Sequence, residues 1–290
     1  MLPNFLVIGA AKAGTTSLHW YLGEHPDVFM SPAKDPSFFA YNVDAQGRLL
    51  WGEPELHSFP VRTQAEYERL FQDVGGATAV GEASTMYLEC PQAAERIRQL
   101  LPDTRIICSL RQPVDRAYSD YVMYLRQAGR RFEPARDLDP GAAWADPGSR
   151  WMKIGRYHEQ LLRYYERFPR QRIQAVLFDD LQRDPRGFMA ELYGFLGVNP
   201  AFVPDLDLPH SAGGLPASPL FERLLVRGAQ SAVKPWVPLR AANWMRRLRS
   251  RTMRPTPPLP AEMRQQLTEH FRADIVSTSE LIGRSLEHWL

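Results

Sequence analysis

The chain has 290 residues, 44% of them hydrophobic and 23% charged, so it can bury the core of one large α/β domain or two small ones and is not a disordered tail. Lys and Arg number 35 against 33 Asp and Glu, a near balance that gives no bulk support for nucleic-acid binding. The two cysteines, Cys90 and Cys108, are too few for a disulfide framework and have no metal spacing.

Phe5 to Ile8 is a short apolar run bounded by glycine and reads as a buried parallel strand. A helix is expected from Thr15 to Gly23, with Leu18, Tyr21 and Leu22 on one face and Gly23 and Pro26 ending it. Ala77 to Val80 reads as a second strand leading into Gly81-Glu-Ala-Ser84, and Gln92 to Leu101 as a helix spaced through Ala94, Ile97 and Leu101. A third strand, Arg105 to Leu110, feeds Arg111-Gln-Pro113 and a helix ending near Arg126. Pro113 suits the first turn of that helix, and Val114, Ala117, Tyr118, Tyr121 and Leu125 form its apolar stripe.

Glu133 to Pro147, rich in Asp, Ala and Pro, is expected to be a surface loop. Tyr157 to Phe168 reads as a helix, Ile173 to Phe178 as a fourth strand, and Pro185 to Leu196 as a helix closed by Gly197. Pro204 to Pro260 is rich in Pro and Arg, with Trp236 and Trp244 interleaved. Ala261 to Leu290 returns to helical spacing through Met263, Leu267, Phe271 and Ile275. Strands alternating with helices predict an α/β fold with a central parallel sheet flanked by helices; the glycine loop after the first strand makes the expectation a P-loop nucleotide-binding fold. The expected organisation is one domain over 1–290, with a nucleotide-binding core at 5–197 and a Pro/Arg-rich segment and C-terminal helix at 198–290.

The first strand runs into Gly9-Ala-Ala-Lys12-Ala13-Gly14-Thr15-Thr16-Ser17. Strand, glycine loop and helix in this order build an anion site, because loop amides and the helix N-terminus point at phosphate oxygens. The nucleotide-triphosphatase form is G-x-x-x-x-G-K-[ST]. Gly9 and Gly14 keep that spacing, but Thr15 stands where the lysine would be, and the lysine is at position 12. A chain so altered is a poor candidate for magnesium-dependent ATP hydrolysis. A second anion site is expected at Arg111, at a strand's C-terminal end, with Ser119 eight residues on; an arginine and a hydroxyl suit a phosphate monoester.

Lys12-Ala-Gly14-Thr15-Thr16-Ser17 resembles the 5′-phosphosulfate loop of sulfotransferases that use 3′-phosphoadenosine 5′-phosphosulfate (PAPS). The motif R-x-P-x-x-R-x-x-S, matched at Arg111, Pro113, Arg116 and Ser119, is similar to that family's 3′-phosphate motif. Gly81-Glu82-Ala-Ser84-Thr-Met-Tyr87-Leu88 resembles a segment of bacterial members, and Phe178 to Leu181 through Phe195 to Gly197 resembles the family's later strand and helix. The likeness covers about 5–197, with weaker similarity through the C-terminal helix, and points to the branch shared by heparan-sulfate-type and bacterial sulfotransferases.

The resemblance implies that Lys12, Ala13, Gly14, Thr15, Thr16 and Ser17 cradle the 5′-phosphosulfate and that Lys12 also stabilises the leaving phosphate. It further implies that Arg111 and Ser119 hold the 3′-phosphate, that Arg116 is structural, and that PAPS is converted to 3′,5′-adenosine bisphosphate without a metal. Lys34-Asp35-Pro36-Ser-Phe38-Phe39 resembles the segment whose glutamate is the family's base; here Asp35 takes that place, one methylene shorter. Pairing with Lys34 or capping a turn is the other role open to Asp35, and His19, His25 and His57 are lesser alternatives as base. Where heparan-acting relatives carry E-K-[ST], this chain has Glu82-Ala83-Ser84, which argues against a heparan acceptor.

The expected acceptor is a hydroxyl, with an amine second, of a small molecule, glycolipid or saccharide. Arg246, Arg247, Arg249, Arg251 and Arg254 form either a solvated basic face or a contact with an anionic acceptor or membrane surface. The family's C-terminal nucleotide loop is expected near Ser211 to Ser218. No signal peptide is evident, no run approaches ~18 apolar residues, and a cytoplasmic location is expected. The rival functions are a P-loop kinase and a non-catalytic nucleotide-binding module.

Overall fold

The computed structural model describes residues 1–40, 42–43, 49–51, 61–207, 214–216 and 253–290. In chain order its elements are β1 (Phe5–Gly9), α1 (Thr15–Gly23), β2 (Val28–Met30), β3 (Asn42–Val43), β4 (Leu49–Trp51), α2 (Gln64–Arg69), β5 (Ala79–Ala83), α3 (Met86–Glu89), α4 (Ala93–Leu100), β6 (Arg105–Leu110), α5 (Pro113–Gln127), α6 (Pro134–Asp137), α7 (Arg150–Lys153), α8 (Tyr157–Tyr165), β7 (Ile173–Leu177), α9 (Phe178–Arg183), α10 (Pro185–Leu196), β8 (Leu215–Pro216), β9 (Met253–Arg254) and α11 (Ala261–Ile282). They form two compact units. The first comprises Met1–Gln112, Arg156–Leu206 and Arg272–Leu290; the second comprises Pro113–Gly155 and Asp207–Phe271.

The first unit is built on a five-stranded parallel sheet of order β2-β5-β1-β6-β7. Every residue of the central strand β1 is buried, which is why its sequence is a continuous apolar run rather than an alternation. Phe5 and Val7 pack in one core with Leu18 and Leu22 of α1 and Phe188 and Leu192 of α10. Burying such side chains contributes roughly 1.5–3 kcal/mol each. The helix expected over Pro185–Leu196 is α10, and Gly197 closes it with a left-handed φ of 78°.

Two features of the sheet depart from the sequence reading. The second strand runs Ala79–Ala83 rather than 77–80, because its pairing with β2 begins only at Val28↔Ala79 and continues on β1 to Val7↔Ala83. Edge strand β2 is three residues long and was not foreseen; so short a segment carries no period.

In the second unit the stripe of α5 is buried as expected, through Val114, Ala117, Tyr118, Tyr121 and Leu125. The segment 133–147 is exposed at most positions, as expected of a surface loop, but it carries a buried anchor. Trp144 is 0% exposed, stacks on Tyr121 with ring centroids 5.6 Å apart, and donates its indole N–H to the Asp137 carbonyl at 2.8 Å. The Asp137 carboxylate is buried beside it and accepts from the Tyr121 hydroxyl at 2.7 Å and from Arg136 Nε at 2.6 Å. A polar composition thus conceals one aromatic anchor and one satisfied acid. Arg116, also 0% exposed, donates to Asp120 at 3.3 Å and to the Trp151 carbonyl. Among the described residues no helix is long and apolar enough to cross a membrane.

Gly81 shows how tightly the central strands pack. A Cβ placed there would lie 2.3 Å from the Phe5 ring. Gly81→Ala is expected to destabilise the fold by about 1–3 kcal/mol, the usual penalty of overpacking, read as a lower urea midpoint with unchanged slope.

Candidate active site

All five strands of the sheet are parallel, so the segments leaving β1, β2, β5, β6 and β7 emerge along one edge. Open α/β sheets bind ligands at that carboxyl edge. Lys12, Asp35, Thr85, Arg111 and Phe178 all follow these strand ends within the first unit.

The loop after β1 is shaped by two left-handed residues, Lys12 at φ 70° and Gly14 at φ 83°. Gly14 could not carry a side chain, since a Cβ would meet the Phe178 ring at 2.8 Å. The loop's carbonyls are tied back to β6 and the residue after it. Ser109 donates its hydroxyl to the Ala13 carbonyl at 2.6 Å, and Arg111 Nη1 donates to the Lys12 carbonyl at 3.3 Å. Gly14 is also the N-cap of α1, so no side chain caps this helix. First-turn amides have no intrahelical acceptor, and they carry the positive end of the helix dipole. Those of Thr15, Thr16 and Ser17 are therefore the groups an anion would meet.

Arg111 lies with its guanidinium 5.0 Å above the Phe178 ring centroid, a cation–π placement. Its carbonyl accepts the Tyr157 hydroxyl at 2.8 Å. One ring, Phe178, thus packs against both the glycine of the loop and the arginine.

Asp35 follows β2 in a turn that is left-handed at Asp35 (φ 57°) and Ser37 (φ 55°). Its amide donates to the Ala83 carbonyl at 2.9 Å. Its carboxylate accepts from the Thr85 amide at 3.1 Å and pairs with Lys34 Nζ at 2.6 Å, with a third of the side chain exposed. The carboxylate is therefore both held and partly open to solvent. Beneath it, Ser84 accepts the Ser37 amide at 2.9 Å and donates to Glu82 at 2.8 Å. Glu82 is 0% exposed and also accepts the hydroxyls of Tyr87 at 2.6 Å and Tyr67 at 3.2 Å. Burial pushes the Glu82 carboxyl up to about 7, against the pull of its three hydroxyl donors and with a push from the nearby Asp35 charge.

A model of the sulfotransferase family matches residues 3–202. The chain belongs to the sulfotransferase family. A solved sulfotransferase from Alicyclobacillus acidocaldarius superposes with a TM-score of 0.71 at 28% identity, covering 100% of this chain and 99% of that one. Human bifunctional heparan sulfate N-deacetylase/N-sulfotransferase 3 is 27% identical over 304 residues, covering 100% of this chain and 31% of that protein. The membrane-associated sulfotransferase kil1 of Dictyostelium discoideum is 31% identical over 133 residues, 46% of this chain and 25% of that one. The chain spans less than a third of the length of these two curated relatives.

Of the sulfotransferase residues expected from sequence, Lys12 to Ser17, Asp35 and Arg111 share the carboxyl edge of the first unit. Ser119 is half-buried on α5, in the second unit. Of the alternative bases, His19 is buried, and so is His25, whose Nδ1 accepts the Asp27 amide at 3.0 Å. His57, Trp236, Trp244, Arg246, Arg247, Arg249, Arg251, Ser211 and Ser218 lie outside the described residues. Sequence reading gave no role to Ser109, Thr85 or the Glu82 network. A hydroxyl in the apolar run before Arg111 was the available signal for Ser109.

The Glu82 shift fixes a sign. Its folded-state value lies above the ordinary 4.5, so its contribution to stability is full below about pH 4.5 and is lost as pH rises through about 7. Urea unfolding of wild type and Glu82→Gln from pH 4.5 to 8 should show wild type losing on the order of 3 kcal/mol relative to the variant. A difference that stays flat or grows in favour of wild type contradicts the assignment.

Proposed function

We propose that this sulfotransferase-family chain moves a sulfuryl group from PAPS to a hydroxyl, or secondarily an amine, of a small molecule, glycolipid or saccharide. The observation that carries this reading is the loop whose carbonyls are held by Ser109 and Arg111 while α1 begins uncapped beside Lys12. Such a loop suits the 5′-phosphosulfate, with Lys12, Ala13, Gly14, Thr15, Thr16 and Ser17 around it. Arg111 and Ser119 are assigned to the 3′-phosphate on the motif they match. The family match over 3–202 supports 5–197 as the nucleotide-binding core of a single domain.

In the proposed reaction the acceptor oxygen attacks sulfur, the bond from sulfur to the 5′-phosphate oxygen breaks, and the acceptor proton passes to Asp35. Lys12 stabilises the charge that develops on the departing phosphate, which leaves as 3′,5′-adenosine bisphosphate. Every atom is accounted for without a metal. Asp35 suits the base in being anchored yet partly exposed; its contact with Lys34 must open or be shared for a proton to arrive.

A saccharide is the favoured acceptor, because the relatives similar over the whole chain are named for heparan sulfate. Heparan sulfate itself fits less well. Ala83 is fully buried at the position where the resemblance places a lysine in heparan-acting relatives, so this position supplies no charge. By its charge, the Arg246 to Arg254 segment is assigned to an anionic acceptor or membrane surface. The free, buried Cys90 and Cys108 fit a reducing, cytoplasmic location.

Calorimetry with 3′,5′-adenosine bisphosphate against magnesium–ADP tests the donor. Tight binding of magnesium–ADP alone would favour a P-loop kinase and sink this reading. Nucleotide binding with no mass shift on any acceptor in a labelled-PAPS screen would favour a non-catalytic module. On an acceptor from that screen, Lys12→Ala is expected to lower kcat by at least about a hundredfold. Asp35→Ala should lower kcat on the order of 10²-fold while leaving affinity for 3′,5′-adenosine bisphosphate near wild type. An unchanged rate in the second variant removes Asp35 as the base.

A further inference from the structure

Arg111 is seated by three neighbours, and Trp289 makes a contact with each of their elements. The first neighbour is Gln112, the next residue in the chain, whose side-chain amide donates to the Trp289 carbonyl at 3.3 Å. The second is Tyr157, which donates its hydroxyl to the Arg111 carbonyl at 2.8 Å and whose ring lies 6.4 Å from the Trp289 ring. The third is α9, whose first residue, Phe178, lies under the guanidinium. The next residue, Asp179, accepts the Trp289 indole N–H at 2.7 Å. All these residues belong to the first unit.

Trp289 itself is only 3% exposed and sits in a short helical turn, Glu287–Trp289. That turn has further fastenings, one of them to the same Asp179 oxygen. Leu286 is buried, Arg284 pairs with Asp180, and His288 Nε2 lies 3.3 Å from Asp179. The contacts therefore do more than tuck away one ring. They join Gln112 and, through Tyr157, the Arg111 carbonyl to the helix carrying the ring beneath the guanidinium.

We propose that Trp289 is a positioning residue that fixes Arg111 for the 3′-phosphate of the nucleotide. The inference rests on the PAPS reading above. A free arginine loses rotamer entropy when it is immobilised on a ligand. An arginine already held in place loses less, and the saving appears as affinity for the group it contacts. Trp289 is suited to this because an indole has few rotamers and its N–H makes a charge-assisted bond to Asp179.

The test uses two nucleotides that differ only at the ribose 3′ position, 3′,5′-adenosine bisphosphate and adenosine 5′-phosphate, titrated by calorimetry at one pH and salt. Wild type should prefer the bisphosphate. Trp289→Phe keeps an aromatic ring, though a smaller one, and removes the bond to Asp179. It is expected to lower that preference about fivefold, the equilibrium weight of one hydrogen bond, with affinity for adenosine 5′-phosphate within about twofold of wild type. Asp179→Ala should do the same, and the double variant should lose no more than either single one.

If Trp289 merely anchors the end of the fold, Trp289→Phe lowers the Tm and leaves the nucleotide preference unchanged, which overturns the proposal. Additive losses in the double variant overturn it as well. A wild-type protein with no preference for the bisphosphate removes the PAPS reading itself and this role with it, an outcome seen before any variant is made.

Discussion

A loop presents its amides to an anion more readily when its carbonyls are turned to other partners. Here the carbonyls of Lys12 and Ala13 are held by Arg111 and Ser109, from β6 and the residue that follows it. The strand order gives this its force. Because β6 is the direct neighbour of β1, its last residues arrive where the loop turns. A residue such as Lys12 at φ 70° costs on the order of 1–3 kcal/mol and persists only where its surroundings over-determine it. Those two hydrogen bonds, with the Phe178 ring closing over Gly14, are what over-determine it.

The opposite flank obeys the same logic with different chemistry. Asp35 and Ser37 are left-handed without being glycine and stand on either side of Pro36. The Ser37 amide is fixed by Ser84, and Ser84 is fixed by Glu82. Burying a carboxyl without partners would cost several kcal/mol. Three hydroxyl donors offset much of that cost and leave a group that titrates near neutrality. Gly9 meets this flank too: a Cβ on it would come within 3.3 Å of the Thr85 carbonyl, the residue whose amide holds Asp35. The phosphate loop and the carboxylate are therefore two ends of one packed edge.

Legibility in the sequence followed how local each cause is. β1, α1, β6 and α10 were readable because a hydrophobic run, a helical stripe or a closing glycine lies within the segment itself. The places of Lys12 and Arg111 beside strand ends were readable from the runs of β1 and β6, whereas Asp35 was reached only through the resemblance of its segment, because β2 carries no period. Glu82 was not, because an acid in a buried strand makes sense only once Tyr67, Tyr87 and Ser84 are seen around it. Trp144 was lost in a polar segment because its anchor is the stripe of another helix. Trp289 lies outside the motifs readable in the sequence, and its partners Gln112 and Asp179 are more than a hundred positions away.

Arginine at position 111 answers several of these demands with one side chain. Its guanidinium presents a face to Phe178 while its edge donates to the Lys12 carbonyl, a division that a lysine's single ammonium could not make. Its planar fork carries five donors, and one of them makes the bond that shapes the loop. Under the PAPS reading, the residue that recognises one phosphate also shapes the loop that cradles the other. The two halves of the nucleotide site are then mechanically coupled through Arg111, and whatever seats Arg111 acts on both.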